Sequence, residues 1–143
     1  MIETSKHFEE AFNLLAGELI GEGIHRKVFE CLIDKSLVVK VETGHNHFAN
    51  VSEWRTWDEC RYWKNGAKWF APCVSISPFG TVMLQKRVDP IRRNDELPNK
   101  LPAFLTDVKP ENFGWLNGQL VCHDYSSTIT TMSLTMKNVE WEW

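Results

Sequence analysis

Residues 107–112 read Asp107-Val108-Lys109-Pro110-Glu111-Asn112, which sets an acid, a base and an amide within six residues of a proline-containing loop. A solvated turn needs only one or two such groups, and loops held by a rigid scaffold are where binding and catalytic residues gather. Downstream, Trp115-Leu116 and Gln119–His123 flank Asn117-Gly118, the dipeptide best suited to a two-residue hairpin turn, so a hairpin is expected there. Asp124 ends that hairpin twelve residues beyond Asn112, and the two side chains together offer oxygen ligands suited to a hard divalent cation. Taken singly, each of these residues reads as ordinary turn or surface chemistry. Their order along the chain is what distinguishes them.

Upstream of the loop, Asp89–Pro102 (DPIRRNDELPNKLP) holds three prolines and few apolar residues, the composition of a linker between two halves. Two β-rich pairs precede it: Lys27–Leu32 with Leu37–Val41, separated by Asp34-Lys35-Ser36, and Cys73–Ser77 with Thr81–Lys86, joined by Pro78-Phe79-Gly80. Between these pairs, residues 50–65 (NVSEWRTWDECRYWKN) contain no Gly or Pro and many charges, which predicts a helix stopped by Asn65-Gly66 and covered on more than one face. Residues 5–16 place Phe8, Ala11, Phe12 and Leu15 at i, i+3, i+4 and i+7, an amphipathic helix ended by Gly17. The tail from Ser126 to Trp143 is rich in Thr and Ser with alternating apolar residues and reads as strand.

The first half adds two features. Gly21-x-Gly23 lies between strand-like runs, where backbone can approach a phosphate with no Cβ in the way. Lys40 interrupts the apolar run Val38-Val39-Lys40-Val41, and strand alternation puts it with Val38 on one face. A cation there either points to water or meets an anion. Glu53, thirteen residues on and opening the next helix, is the carboxylate expected to hold it, with Glu59 as rival.

Composition bounds the rest. With 43% hydrophobic and 24% charged residues the chain reads as globular, and its 143 residues suit about one domain with a single core. A net charge of −3 gives no field that would draw the molecule onto nucleic acid or an anionic membrane, Lys86-Arg87 and Arg92-Arg93 notwithstanding. No apolar run approaches the roughly 18 residues of a membrane helix, and Met1-Ile2-Glu3-Thr4-Ser5 lacks the basic start of a signal peptide, so the expected location is the cytoplasm. The four cysteines include no C-x-x-C pair and read as reduced, structural thiols. His45-x-His47 has no third ligand at a usual metal-site spacing and reads as solvent-exposed imidazoles.

Together the five polar elements resemble those of a protein kinase. Gly21-x-Gly23-x-x-Arg26-x-Val28-Phe29 is similar to the glycine-rich loop, and Val38-Val39-Lys40-Val41-Glu42 to the strand that carries the phosphate-binding lysine. Asp107–Phe113 is similar to the catalytic loop, closest to casein-kinase-type sequences, and His123-Asp124-Tyr125 to the D-F-G segment. The resemblance spans residues 19 to 126. It implies an α+β, kinase-like single domain over 1–143: a helix at 5–16, an N-lobe with an antiparallel β-sheet and one packed helix over 17–88, and a much reduced C-lobe over 89–143. Nineteen residues follow Asp124, too few for an A-P-E segment and a peptide platform. Leu105 and Thr106 stand where many kinases have histidine and arginine, and Ser126 where D-F-G has glycine. A truncated kinase of this size would suit a phage-encoded factor.

The resemblance implies roles residue by residue. Backbone amides around Gly21 and Gly23 would cover the phosphates of ATP, Lys40 would pair with the α/β-phosphates and be oriented by Glu53, and Asn112 and Asp124 would hold Mg²⁺. Asp107 would accept the proton of an attacking hydroxyl, and Lys109 would neutralise charge on the transferring γ-phosphoryl group. The adenine would lie near Val28, Val38 and Met83–Leu84, with Gln85-Lys86-Arg87 as hinge. The implied function is a minimal ATP- and Mg-dependent phosphotransferase acting on a hydroxyl of a protein or small molecule. Its alternative is a catalytically inactive pseudokinase that inhibits or scaffolds a partner protein, with the seven tryptophans supplying contacts.

Overall fold

The computed structural model describes residues 4–44, 48–128 and 133–143. The structure is α+β, with an antiparallel sheet of five strands and few helices. Its contacts divide into two compact units, residues 1–50 with 74–87 and residues 51–73 with 88–143. Among the described residues no helix is long and apolar enough to cross a membrane.

The first unit is built on β1 (Ala16–Glu22), β2 (Arg26–Cys31), β3 (Leu37–Glu42), β4 (Cys73–Ile76, whose first residue belongs to the second unit) and β5 (Val82–Lys86), in the spatial order β1-β2-β3-β5-β4. Strand alternation sends Phe29, Cys31, Leu37, Val39, Val41, Val82 and Leu84 to one apolar cluster. Helix α1 (Thr4–Leu15) covers that cluster with Phe12 and Leu15, the Phe12 ring meeting Phe29 edge-on at 5.6 Å. The Leu15 carbonyl accepts Leu32 N–H at 2.8 Å and ties the helix end to β2. The expected four-residue stripe is therefore used only in part: Phe8, a turn nearer the start, remains 72% exposed. Between β2 and β3 the Asp34 carboxylate accepts from Ser36 Oγ at 2.6 Å and Ser36 N at 2.9 Å, and these donors hold its pKa below the ordinary value.

The second unit has an aromatic interior. Phe70 stacks on Phe104 at 5.6 Å and meets Tyr125 edge-on at 4.7 Å, while Trp63 lies 5.9 Å from Phe104. Helix α2 (Ala49–Cys60), whose residues from Val51 onward belong here, is shorter than the 50–65 expected. A turn closed by Trp63 N–H to Cys60 O at 2.9 Å follows it, and then the short helix α3 (Lys64–Ala67). Gly66 is thus a packing residue inside α3 and not a stop signal, since a Cβ there would come 2.1 Å from Cε3 of the Trp63 ring.

Residues 89–102, expected as a linker, instead supply two strands to the second unit. Strand β6 (Asp89–Pro90) pairs with β8 (Phe113–Leu116), and β7 (Lys100–Pro102) pairs antiparallel with β10 (Met136–Asn138) from the tail. Between them the Asp95 carboxylate accepts from Arg92 N at 2.8 Å and Trp115 Nε1 at 2.9 Å, which lowers its pKa. Trp141 Nε1 donates to Pro98 O at 2.9 Å, and its ring meets Phe113 edge-on at 5.1 Å. The expected hairpin forms from β8 and β9 (Gln119–Cys122), with Asn117 at φ 51° and Gly118 at φ 79°, the left-handed pair that a tight Asn-Gly turn requires.

Candidate functional site

In the first unit Gly21 lies in β1 opposite Val28, and Gly23 opens the turn into β2 with its N–H donating to Arg26 O at 2.9 Å. Neither glycine has a left-handed backbone. A Cβ on Gly21 would meet Val28 at an ordinary 3.6 Å, and one on Gly23 would come no nearer than 4.0 Å to Arg26 O. The described structure therefore demands glycine at neither position.

Lys40 occupies the middle of β3, opposite Val28 on β2 and Met83 on β5. It is 1% exposed, so the solvent-facing alternative does not apply. Val28, Lys40 and Met83 form one cross-strand row, and Val38 shares their face of β3. Leu84 belongs to the opposite face, in the cluster under α1. Gln85 and Lys86 are strand residues of β5 and not hinge residues, paired with Val38 and Leu37. Arg87 follows the strand, its N–H on Ser36 O at 2.8 Å and its guanidinium 3.5 Å from the Glu30 carboxylate.

Asn50, which sequence reasoning passed over, organises the edge of this row. It is fully buried, accepts from Arg26 Nη1 at 3.2 Å, donates through Nδ2 to Lys40 O at 3.0 Å, and gives its own N–H to Glu42 Oε1 at 2.6 Å. An asparagine at the start of a helix is a local cue for capping chemistry. Nothing local points to its contact with the Lys40 strand.

The remaining candidates lie in the second unit. Pro110–Asn112 forms a 3-10 turn with proline at its first position, where a missing N–H costs nothing. Asp107 O accepts from Lys109 N and from Asn112 Nδ2, each at 3.0 Å, and Asn112 N donates to Lys109 O at 2.9 Å. The Lys109 ammonium lies 3.8 Å from Asp107 Oδ1, with both side chains about half exposed. Acid, base and amide are thus brought together, and the use of Nδ2 on Asp107 O leaves Oδ1 as the acceptor that Asn112 offers a ligand. Asn112 O accepts His123 N–H at 2.9 Å, which places the residue before Asp124 beside this turn. The Asp124 side chain is exposed.

Glu53 is 0% exposed, whereas its rival Glu59 is exposed. Glu53 Oε2 accepts Tyr125 N–H at 2.8 Å, so this buried carboxylate holds the main chain one residue past Asp124. Two more α2 side chains grip the same segment, Ser52 Oγ on Ser126 O and Thr56 Oγ1 on Thr128 O. Tyr125 is fully buried, with its hydroxyl donating to Ala71 O at 2.7 Å and 3.2 Å from Cys73 Sγ. Asp124 consequently sits between two residues whose main chains are tied, His123 to the Asp107–Asn112 loop and Tyr125 to α2.

All four cysteines are free and buried, as their spacing suggested, and burial pushes the Cys60 thiol up to about 11. Among the described residues no group of three or more His, Cys, Asp or Glu side chains is arranged to hold a metal ion. Asn112 and Asp124, the residues expected to hold Mg²⁺, would offer it two oxygens, with waters and phosphates completing the shell. His45 and His47 lie outside the described residues. No family model and no curated protein matches the chain.

Proposed function

We propose that the chain is a minimal phosphotransferase of protein-kinase type, moving the γ-phosphoryl group of ATP to a hydroxyl with Mg²⁺. The observation that carries this reading is the wiring of Asp107, Lys109 and Asn112 into one loop whose last residue accepts the main-chain N–H beside Asp124. Phosphoryl transfer is mostly positioning and charge stabilisation, so a site of this kind needs few groups, rigidly held. When bound, Mg²⁺ neutralises charge on the phosphates, and Asn112 Oδ1 and the Asp124 carboxylate are the groups that would hold it.

Asp107 is the base: its exposed carboxylate takes the proton of the acceptor hydroxyl. The Lys109 ammonium, 3.8 Å from that carboxylate, faces the incoming negative charge during transfer. Lys40 meets the α/β-phosphates from the sheet face it shares with Val28, Val38 and Met83, which present an apolar surface to the base. Gly21 and Gly23 carry no side chain at positions where the chain itself would tolerate one, which suits a loop shaped to let its amides approach phosphate.

Calorimetry of ATP with Mg²⁺ on wild type and Asp124→Ala tests nucleotide holding, and a γ-phosphate transfer assay on Asp107→Asn tests turnover. Binding by wild type that falls at least about tenfold in Asp124→Ala, with transfer lost and binding kept in Asp107→Asn, is the expected outcome. Absence of heat from wild type would favour the second reading, a kinase-like protein that binds a partner. Exposed apolar side chains in the first unit speak for that one: Ile24 at the β1–β2 turn is 90% exposed and Leu14 on α1 is 73% exposed.

A further inference from the structure

His123 has no part in the roles above, yet it makes two bonds to the loop that bears Asn112. Its N–H donates to Asn112 O at 2.9 Å, and its ring Nε2 lies 2.8 Å from Glu111 O. A carbonyl oxygen only accepts, so Nε2 carries the hydrogen. The main-chain bond continues the ladder of β8 and β9 and is open to any residue but proline. The ring bond is different, since it needs a side chain with a donor at this reach.

The turn does not depend on that ring bond for its own closure. Asn112 N on Lys109 O at 2.9 Å and Asn112 Nδ2 on Asp107 O at 3.0 Å already shape it. What the ring adds is a second tie, at Glu111, between the turn and the residue that immediately precedes Asp124. The β8–β9 ladder joins the two segments as far as Asn112 O, and the ring bond carries the tie one residue further into the turn, to Glu111 O.

We infer that His123 is a positioning residue, its ring bond to Glu111 O holding the Asn112 turn and the Asp124 segment in the fixed relation that a shared divalent cation requires. This rests on the assignment of Asn112 and Asp124 as the cation's ligands. Groups that orient metal ligands typically change metal affinity by 10–100-fold when removed; an exposed bond belongs at the low end, about tenfold.

The test uses the full chain with Mn²⁺ as probe in the presence of ATP, free Mn²⁺ being followed by electron paramagnetic resonance, on wild type, His123→Leu and His123→Gln. Thermal unfolding of each protein is recorded alongside. Glutamine keeps an N–H donor of similar reach, whereas leucine fills the space without one. Mn²⁺ affinity about tenfold weaker in His123→Leu, near wild type in His123→Gln, with all three unfolding at similar temperatures and faster amide exchange at Glu111–Asn112 in His123→Leu alone, is the expected result. Equal affinity in wild type and His123→Leu, or an equal loss in both variants, overturns the positioning role while leaving the cation assignment standing. A wild type that takes up no Mn²⁺ with ATP overturns both.

Discussion

Phenylalanine would fill the space at Tyr125 as completely as tyrosine does, and the ring contact with Phe70 at 4.7 Å would survive the exchange. Only the hydroxyl distinguishes the two, and it is placed on Ala71 O at 2.7 Å and near Cys73 Sγ at 3.2 Å in a site with no exposure. A buried carbonyl deprived of its donor costs about 1–3 kcal/mol, so Tyr125→Phe is expected to lose about 1–2 kcal/mol in urea denaturation. Tyr125→Ala removes the ring as well and is expected to lose about 3–5 kcal/mol. Equal stability of wild type and Tyr125→Phe would mean that the hydroxyl bonds return no more than they displaced from water. The residue bears on the site because its N–H is held by the Glu53 carboxylate, so both ends of Tyr125 fix the chain leaving Asp124.

Glycines separate elements that need them for packing from an element that does not. At Gly66 a Cβ would enter the Trp63 ring, and at Gly114 it would come 2.4 Å from Val88 Cγ2 and 2.7 Å from Asp89 O, a backbone atom that cannot rotate away. Gly66→Ala and Gly114→Ala are each expected to lose about 1–3 kcal/mol by overpacking. At the β1–β2 end the same change meets only ordinary contact, 3.6 Å from Val28 at Gly21 and 4.0 Å from Arg26 O at Gly23. The double variant Gly21→Ala with Gly23→Ala is expected to be as stable as wild type, or up to about 1 kcal/mol more so through a stiffer unfolded chain, while its ATP affinity falls. Unchanged affinity in that variant would remove the phosphate role of the turn. Legibility in the sequence follows the range of the contacts. The β2–β3 pairing, the Asn117-Gly118 turn and α1 depend on neighbours a few residues away, and period or turn chemistry reveals them. Asp89–Pro90 and Lys100–Pro102 become strands only because partners at Phe113–Leu116 and Met136–Asn138 reach them, and two- or three-residue strands leave no period to read. At the site, order along the chain marked Asp107, Lys109, Asn112 and Asp124. The ties from Asn50, His123 and the Tyr125 hydroxyl escaped notice, because each joins a residue to main-chain atoms whose proximity only the fold creates.

The whole chain is divided so that its reporters fall on one side. All seven tryptophans lie in the unit formed by residues 51–73 and 88–143, and the unit with residues 1–50 and 74–87 has none. Intrinsic tryptophan fluorescence therefore follows one unit, while far-UV circular dichroism also sees the five-stranded sheet. Val39 is 0% exposed at the centre of the apolar cluster under α1, and Val39→Ala, by removing two buried methyl groups, is expected to lose about 2 kcal/mol. The chain passes from one unit to the other three times, so neither is a continuous segment and unfolding of one releases the chain ends that the other holds closed. A lesion in the tryptophan-free unit is accordingly expected to move the fluorescence midpoint in urea as far as the circular dichroism midpoint. Fluorescence that stays at its wild-type midpoint while the dichroism transition shifts would show instead that each unit keeps its structure without the other, and nucleotide binding would then have to be measured below the first transition.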